Sequence, residues 1–526
     1  MTQLQTETMP GLSVQQGASE PPLPRGSLAD ILRSNAALHG HRPAVLIPQG
    51  DTIETITYAQ LLERAENVAS WLCTRCRVGD RIAVWSNNAV ESVFLQHACA
   101  LAGMIIAQFN TGWTDAEARH AAATIKPALG IAGMGRRGMD FAPRMEALGT
   151  FPVLPLAAVA KASTQPGHSE FPRQKPEAPF LIQFTSGTTG KSKAALISQR
   201  AAMYGAWARP AIYGGTHDDI SLNAVPFHHI GGSIAIILGA LTTASSFVVL
   251  ESYDRDQIVR LMRQLRPTRM GGVPTMWHDI LASPELPRDK ATKIVTLGGA
   301  SVPPSLVRQV QEKTGAACAI GYGQSESGSV TSTLPTDPVD VLCETIGRAS
   351  PHMEVMIADV ETGEPVPHGV VGEICARGPG NMIGYFGNDA ATAETIRPDG
   401  FLRTGDLGTL GTDGLIRISG RLREVIIRGG ENIYPAEVEA ALMSHPNVEM
   451  AAAVGVEDMR LGHVVGAVIK PVRQNAAAID ELEAHAAALV ASFKVPRHWR
   501  FVEEMPLTAS GKIRKVELES LFRQDE

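Results

Sequence analysis

The sequence predicts an α/β protein that contains more than one domain. Short apolar runs such as RIAVWS at 81–86 and ALGIAG at 128–133 alternate with helical patterns, which indicates strands alternating with helices. A second alternating region follows, with SSFVVL at 245–250 and KIVTLGG at 293–299 as its clearest strands. Because a chain of 526 residues is too long for one hydrophobic core, these regions are expected to form more than one domain.

The elements can be justified in chain order. Residues 1–26 are polar and rich in Pro, Gly and Gln, which predicts a loose leader. The proline-rich segment 161–179 connects the two alternating regions. Residues 340–420 are β-branched and turn-rich and predict a small all-β unit, and the last hundred residues have the mixed pattern of a separate small domain.

The overall composition excludes several classes of protein. A hydrophobic content of 44% and a charged content of 19% are ordinary for a soluble globular protein. The net charge of -7, without a basic block, argues against binding to nucleic acid. No apolar run approaches the roughly eighteen residues of a membrane span, and no signal peptide pattern begins the chain, so a cytoplasmic location is expected.

The six cysteines do not predict a metal or redox site. Cys73 and Cys76 form one C-x-x-C, but no second pair or nearby histidine completes a zinc site. The surrounding sequence, ASWLCTRCRVGD, is typical of the end of an amphipathic helix.

The segment FTSGTTGKSK at 184–193 predicts a loop that binds phosphate. It differs from the Walker loop, which has four residues between its glycines where this sequence has two, and which opens a helix where this sequence continues as AALIS, a second strand. A strand, a polar loop and a strand form a hairpin that can close over a triphosphate. Glycines allow a close backbone approach, hydroxyls donate to phosphate oxygens, and Lys191 or Lys193 can neutralise charge. The loop residues assigned to nucleotide binding are Thr185, Ser186, Gly187, Thr188, Thr189, Gly190 and Lys191. The alternative is a polar surface hairpin without a ligand.

Four further stretches have the composition of a site, although each has a plain structural explanation by itself. VPFHHIGGS at 225–233 has two histidines that could be loop residues, and Tyr322 in GYGQSE at 321–326 could belong to the core. RTGDLG at 403–408 reads as a tight turn holding Asp406, and PLTASGKIRK at 506–515 as a loop holding Lys512.

The order of these motifs resembles that of the acyl-adenylate-forming superfamily, which includes acyl-CoA synthetases, peptide-synthetase adenylation domains and luciferases. The matching stretches are TSGTTGKSK, GYGQSE, RTGDLG, GRLREVIIRGGENIYPAEVE and PLTASGKIRK, and the resemblance covers nearly the whole chain from residue 27. It implies a large N-terminal domain, 27–421, of two α/β subdomains and a small β-barrel. It also implies a hinge at 422–424 and a small mobile α+β C-terminal domain at 425–526.

The resemblance implies that a carboxylate attacks the α-phosphate of ATP, that pyrophosphate leaves, and that a nucleophile later displaces AMP. It makes Glu326 the Mg²⁺ ligand and Ser325, where Thr is usual, a phosphate contact. Asp406 would accept hydrogen bonds from both ribose hydroxyls. The other implied nucleotide contacts are Gly299, Ala300, Ser301, Gly321, Tyr322, Gly323 and Arg421.

The C-terminal part supplies the remaining implied roles. Lys512 would bridge the substrate carboxylate and the α-phosphate, and rotation of its domain would remove it once the adenylate exists. Arg423 stands at the hinge position, where Asp or Lys is usual. Gly429 and Gly430 would pass the pantetheine arm of CoA close to the backbone.

By resemblance, the acid pocket is lined by His228, which is also a candidate catalytic residue, and by His229, Ile230, Gly232, Ala300, Gly321, Gly323 and Gly328. The small residues among these positions leave room for the acid, and none of the eight is Lys or Arg. We therefore expect a medium-sized monocarboxylic acid that is apolar, cyclic or aromatic.

Three functions stay open at this point. The first choice is an acyl-CoA synthetase that uses ATP, Mg²⁺ and CoA, because the GGENIYPAEVE segment looks like that of CoA ligases and no carrier-protein domain follows it. The second is a stand-alone enzyme that transfers the acyl group to an amine or a carrier protein. The third is a non-catalytic binding protein on the same fold. The oligomeric state is open, with a homodimer as one expectation.

Overall fold

The structure is a computed structural model. It describes residues 6–135, 138–167, 170–185, 192–299, 302–429, 431–473, 478–507 and 513–525. The chain divides into two compact units. The first consists of residues 1–8, 15–355 and 375–403, and the second of residues 9–14, 356–374 and 404–526.

A seven-stranded sheet in the first unit carries the phosphate-loop hairpin. The five strands from Pro179–Thr185 to Val153–Pro155 are parallel, and Lys193–Ser198 and Gly384–Tyr385 extend the sheet on one side in antiparallel pairs. The strand order is Gly384–Tyr385, Lys193–Ser198, Pro179–Thr185, Ile105–Gln108, Arg81–Trp85, Leu129–Ala132 and Val153–Pro155.

A nine-stranded sheet in the first unit carries the GYGQSE motif. It is parallel in its centre and antiparallel at both ends. The strand order is Arg348–Ala349, Gly328–Ser332, Ala317–Gln324, Ile294–Leu297, Arg269–Gly272, Ile220–Leu222, Ser246–Val248, Pro43–Gln49 and Thr52–Thr57.

Helices of the first unit bury their apolar faces against these sheets. Ser27, Thr57 and Thr114 cap three of them, and each accepts a hydrogen bond from the backbone amide of the third helical residue. The α-helices are Leu28–His39, Tyr58–Cys73, Val90–Ala102, Asp115–Ile125, Ala142–Glu146, Leu156–Ser163, Gln199–Ile212, Gly239–Thr243, Arg255–Leu265, Pro274–Ala282, Pro304–Thr314, Val339–Glu344 and Asp389–Thr395. Gly231–Leu238 is a π-helix.

A six-stranded sheet contains the β-rich segment of the chain. Its strands are Glu7–Thr8, Val14–Gln16, Glu354–Ala358, Gly372–Arg377, Leu402–Leu410 and Ile416–Arg421, in that order. The prediction of a small all-β unit at 340–420 is wrong for two segments, because the helices Val339–Glu344 and Asp389–Thr395 fall there; the other regular elements of that region are strands.

The predicted loose leader is wrong for the strands Glu7–Thr8 and Val14–Gln16. Ser13 and Gln15 are fully buried polar residues, and both side chains have hydrogen-bond partners. Ser13 Oγ donates to the Pro367 carbonyl at 3.0 Å, and Gln15 Oε1 accepts from the Ala349 amide at 2.8 Å. Because these polar groups are satisfied inside the protein, a polar composition does not here indicate disorder.

The second unit ends in an α+β region with a five-stranded sheet. Strands Glu431–Ile433, Ile426–Arg428, Gly462–Pro471 and Val448–Asp458 lie in that order, and His498–Phe501 pairs parallel to Gly462–Pro471. Its helices are the 3₁₀ turn Leu422–Glu424, the α-helices Pro435–Met443, Ile479–Leu489 and Lys515–Glu519, and the 3₁₀ helix Ser520–Asp525.

The predicted α/β fold class is thus confirmed, and so is the prediction that the segment ASWLCTRCRVGD lies at the end of a helix. Cys73 ends the helix Tyr58–Cys73 and is exposed, Cys343 is partly buried, and the other four cysteines are buried thiols. The described residues contain no cluster of three metal-binding side chains. Among the helices of the described ranges, none has the length and apolar character needed to cross a bilayer.

Candidate active site

The predicted arrangement of a strand, a loop and a second, antiparallel strand is confirmed. Strands Pro179–Thr185 and Lys193–Ser198 are antiparallel, and Thr185 lies opposite Lys193 in the ladder. The two ends of the loop therefore face each other. The predicted phosphate contacts Ser186, Gly187, Thr188, Thr189, Gly190 and Lys191 lie outside the described residues.

A tyrosine that was not predicted as a site residue connects Glu326 to this hairpin. The Tyr385 hydroxyl donates to Glu326 Oε1 at 2.9 Å, and Tyr385 lies opposite Ala195 in the ladder of the second hairpin strand. Burial, together with the nearby Glu326 carboxylate, raises the pKa of Tyr385, so its hydroxyl stays a donor. The Lys193 ammonium lies 4.9 Å from the centre of the Tyr385 ring.

The Glu326 carboxylate is the group that could hold a divalent cation here. Glu326 is 8% exposed, and of its two carboxylate oxygens only Oε1 accepts a hydrogen bond from a residue in the described ranges. Mg²⁺ is typically held by one or two carboxylates together with substrate phosphates. A single carboxylate beside a hairpin that is predicted to bind phosphate fits that pattern.

The glycines of the GYGQSE motif do not leave the free space expected for an acid. A Cβ at Gly323 would lie 1.8 Å from the Gly328 carbonyl oxygen, and Gly328 itself has a φ of +64°. Both glycines are therefore required by the hairpin Ala317–Gln324 and Gly328–Ser332. Ser325 and Glu326 lie in its turn.

The adjacent strand brings a second pair of glycines to the same edge. Gly298 and Gly299 follow the strand Ile294–Leu297, which pairs parallel to Ala317–Gln324. A Cβ at Gly298 would lie 3.2 Å from the Gly321 carbonyl oxygen, and Gly299 has a φ of +81°. The predicted contacts Gly299, Gly321, Tyr322 and Gly323 thus lie near one another, whereas Ala300 and Ser301 lie outside the described residues.

Arg209 introduces a cation that the eight predicted pocket positions lack. It lies on the helix Gln199–Ile212, and a Cβ at Gly321 would be 2.7 Å from its Nη2 atom. Gly321 is therefore occupied on that side by a guanidinium. This contact could not be predicted from local sequence patterns, because the helix and the strand are distant along the chain.

His228 is buried in a loop held by amide side chains. The Asn88 side chain accepts from the Phe227 amide at 2.7 Å, and Gln183 on the first hairpin strand donates to the His228 carbonyl at 2.6 Å. Burial, with His229 nearby, lowers the pKa of His228 to about 3. Its Nε2 atom finds no hydrogen-bond partner in the described part of the chain.

The remaining pocket positions follow His228 directly. Ile230 precedes the π-helix Gly231–Leu238. A Cβ at Gly232 would lie 2.2 Å from the Pro226 carbonyl oxygen, so this glycine allows the loop to fold back on itself. The His228 and His229 rings have centroids 5.8 Å apart. These predicted residues therefore form one contiguous segment.

In the second unit, Asp406 and Arg421 form a pair. They lie opposite each other in the ladder of strands Leu402–Leu410 and Ile416–Arg421, and Arg421 Nε is 3.2 Å from Asp406 Oδ1. Asp406 is thus in a strand, and the prediction of a tight turn is wrong. Gly405, with a φ of +72°, and a register shift between Leu407 and Gly408 make the strand irregular, which accounts for its turn-like sequence.

The predicted hinge is a single 3₁₀ turn, Leu422–Glu424, in which Arg423 is exposed. Glu424 forms an ion pair with Lys515 at 2.8 Å, and Lys515 also reaches Glu439 at 2.7 Å. Leu507 and Ile513 form a β-bridge on either side of the segment that contains Lys512. Lys512 itself lies outside the described residues.

Gly429 occupies the turn between strands Ile426–Arg428 and Glu431–Ile433. It has a φ of +60°, and its amide donates to the Leu461 carbonyl at 2.7 Å. The turn alone therefore favours glycine at 429. Gly430, the other predicted CoA contact, lies outside the described residues.

Comparison with known proteins identifies the family. A model of the AMP-binding enzyme family matches residues 32–386, and one of the AMP-binding enzyme C-terminal domain matches residues 437–512. The medium-chain acyl-CoA ligase of Danio rerio, named as mitochondrial, is 30% identical over 96% of this chain and 90% of its own length. A Rhodococcus jostii ligase, named for joining a methyl-dioxo-octahydroindenyl propanoyl group to CoA, is 32% identical over 88% of this chain and 92% of its own length.

Two solved structures are also similar to this chain in fold and in sequence. The ATP-bound MatB of Rhodopseudomonas palustris has a TM-score of 0.85 and 28% identity over 94% of this chain and 99% of its own. The o-succinylbenzoate CoA synthetase of Bacillus subtilis, with its acyl-adenylate bound, has a TM-score of 0.83 and 25% identity over 94% of this chain and 98% of its own. The chain belongs to the AMP-binding enzyme family.

Proposed function

We propose that this protein is an acyl-CoA synthetase of the AMP-forming type. It activates a carboxylic acid with ATP to an acyl-adenylate and pyrophosphate, and it then transfers the acyl group to the thiol of CoA with release of AMP. The observation that carries the proposal is the Tyr385–Glu326 contact beside the phosphate-loop hairpin. The names of the Danio rerio and Rhodococcus jostii relatives support CoA as the acceptor.

The first step needs charge stabilisation more than covalent catalysis. Negative charge builds on the α-phosphate and on the departing pyrophosphate, so preorganised cations and donors supply most of the rate. Glu326 would hold Mg²⁺, which neutralises phosphate charge when bound, and Tyr385 fixes the orientation of this carboxylate. Lys193 at the base of the hairpin adds positive charge. Ser325, in the turn next to Glu326, would contact the phosphates.

The second unit is proposed to hold the ribose and to supply the mobile lysine. Asp406 is oriented by its ion pair with Arg421, so its carboxylate can accept hydrogen bonds from two neighbouring hydroxyls. Lys512 would approach the α-phosphate in the first step and leave before CoA enters, with Leu422–Glu424 as the hinge. This proposal includes an N-terminal domain that ends at residue 421 and a mobile C-terminal domain that begins at residue 425.

We propose a medium-sized monocarboxylic acid with an apolar, cyclic or aromatic body. The relatives include a medium-chain acyl-CoA ligase and a ligase named for a bicyclic propanoyl group, which agrees with this size. His228 stays neutral at physiological pH because its pKa is lowered to about 3, so this part of the pocket wall carries no charge.

The second candidate function is an adenylating ligase whose acceptor is an amine or a carrier protein. Because activation of the acid is the same, the first half-reaction does not distinguish the two candidates. The acceptor does.

One experiment tests both steps. A panel of carboxylic acids is screened by ATP–pyrophosphate exchange. Each active acid is then incubated with CoA or with amines, and the masses of the products are measured by mass spectrometry. We expect acid-dependent exchange and an acyl-CoA mass. Exchange that yields only amides would establish the second candidate, and no exchange with any acid would refute adenylation.

A further inference from the structure

Arg209 lies flat against a glycine in the GYGQSE motif. A Cβ built on Gly321 would lie 2.7 Å from Arg209 Nη2 and 2.8 Å from both Cζ and Nε. Three atoms of the guanidinium at nearly equal distance indicate that its plane covers the face of the glycine. Any larger residue at 321 would displace the cation, so the two positions are coupled by shape.

This guanidinium has no acceptor within the residues that the structure describes. Arg209 is partly buried, yet it makes no ion pair and donates no side-chain hydrogen bond there. Tyr213, a charge neighbour, has its pKa raised by burial, and its hydroxyl shares a hydrogen bond with Ser332. The Tyr213 phenol therefore stays neutral and supplies no counter-charge to Arg209.

Comparable arginines of the same unit do have partners. Arg269 is 2.6 Å from Asp219, and Arg348 is 2.9 Å from Asp337. A partly buried guanidinium that lacks a protein acceptor loses part of its hydration without replacement, which costs free energy on folding. Such a group is better explained if a ligand supplies the acceptor.

The position of Arg209 suits the far end of an acid. Gly321 and Gln324 lie on one extended strand, and Glu326 follows in the turn. At roughly 3.3 Å per residue, about 10 Å of strand separates Gly321 from the start of that turn. If the carboxyl group is activated near Glu326, a medium-sized acid would extend to Arg209.

We propose that Arg209 determines substrate specificity by donating hydrogen bonds to an oxygen acceptor, a keto group or a second carboxylate, on the part of the acid remote from the activated carboxyl. This inference rests on the proposed function and replaces its apolar monocarboxylic acid by an acid with a distal oxygen, either a keto acid or a dicarboxylic acid. Both acceptors suit a guanidinium, although a carboxylate can take two hydrogen bonds side by side.

The test uses sets of three acids that share one carbon skeleton. One is unsubstituted, one has a distal keto group and one has a distal carboxylate. Values of kcat/KM for pyrophosphate exchange are measured for the wild type, Arg209→Met, Arg209→Lys and the control Arg255→Met. Arg255 is an exposed arginine that pairs with Asp256 at 2.8 Å.

We expect the wild type to prefer one oxygenated acid over the unsubstituted acid by at least tenfold. Arg209→Met should lose at least tenfold of that preference, about 1.4 kcal/mol, mainly in KM, while its activity with the unsubstituted acid persists. Arg209→Lys should retain more of the preference for a carboxylate than for a keto group. Arg255→Met should behave as the wild type.

Two outcomes would overturn the inference. Either the wild type shows no preference for an oxygenated acid, or Arg209→Met keeps that preference unchanged. The absence of exchange with every acid would instead count against the proposed function. In that case the melting temperature gives an independent measurement, because the oxygenated acid with ATP should stabilise the wild type more than Arg209→Met. Equal stabilisation of both proteins would overturn the inference.

Discussion

Tyr385 illustrates how a single residue can connect two motifs that are far apart in the sequence. Its hydroxyl donates to Glu326, and its ring lies beside Lys193 at the end of the phosphate loop. Hydrogen bonds to a charged acceptor contribute about 1.5–3 kcal/mol. Because Tyr385→Phe keeps the ring and removes only the donor, we expect pyrophosphate exchange to fall by roughly ten- to a hundredfold. A Mg²⁺ titration of the exchange rate should show a weaker apparent affinity for the cation.

The control for this variant is Tyr253→Phe. Tyr253 also donates to a carboxylate, that of Asp279 at 3.3 Å, but it lies on other elements of the first unit. We expect exchange to be unchanged there. If Tyr385→Phe exchanged at the rate of Tyr253→Phe, the Tyr385 contact would have no role in positioning Glu326.

Two buried histidines predict how stability responds to acid. Burial lowers the pKa of His97 to about 4 and, with His229, that of His228 to about 3. An unfolded histidine titrates near 6.5, so below that pH the unfolded chain binds more protons than the folded protein does. Their contribution to the free energy of unfolding is complete above pH 6.5 and is lost as the pH falls towards 4.

Each histidine should cost about 1.4 kcal/mol of stability per pH unit within that window. Between pH 6.5 and 5, urea unfolding of His97→Gln should therefore lose about 2 kcal/mol less than the wild type loses. Parallel pH curves for the two proteins would show that folding does not lower the pKa of His97.

At the scale of elements, the sequence predicted the phosphate-loop hairpin because apolar runs flank a polar loop. It placed Asp406 in a turn because a glycine on either side of Asp406–Leu407 has the same local signature in an irregular strand as in a turn. Arg209 and Tyr385 could not be predicted as contacts, because their partners Gly321 and Glu326 come from distant elements. The glycines at 323 and 328 were predicted to leave space for the acid, whereas their backbone contacts and the positive φ of Gly328 already account for glycine at both positions.

Lys515 ties three elements of the second unit together. It begins a helix and forms ion pairs with Glu424 of the 3₁₀ turn and with Glu439 of the helix Pro435–Met443. Although burial by itself lowers the pKa of Lys515, the two glutamates outweigh burial and raise it. Lys515 therefore stays charged, and its removal would leave two partly buried carboxylates without their cation.

We expect Lys515→Met to lower the free energy of unfolding by about 2 kcal/mol, below the value for a fully buried pair because the glutamates are partly exposed. Urea denaturation followed by circular dichroism measures it. Lys494→Met is the matched control. Within the described residues Lys494 forms an ion pair only with Glu437, so this variant should lower the free energy of unfolding by a smaller amount. Equal losses in the two variants would mean that the second glutamate contributes nothing.

For the whole molecule, the two half-reactions should respond differently to one lysine. If Lys512 contacts the α-phosphate only during adenylation, Lys512→Ala should slow pyrophosphate exchange by about two to three orders of magnitude. Transfer to CoA from a supplied acyl-adenylate should stay near the wild-type rate. A similar loss in both reactions would argue that Lys512 is structural or that the C-terminal domain does not rotate.

The distribution of thiols has a practical consequence for observing such a rotation. Of the six cysteines, Cys73 is the exposed one. Burial raises the pKa of Cys73 and also that of less accessible thiols, to about 11 for Cys76 and Cys343 and to about 12 for Cys318. A maleimide dye should therefore react first at the end of the helix Tyr58–Cys73, without removal of any native cysteine. One further cysteine at the fully exposed Met459 would add a second dye on the other unit. Energy transfer between the two dyes would then report in real time whether ATP, the acid and CoA change the separation of the units.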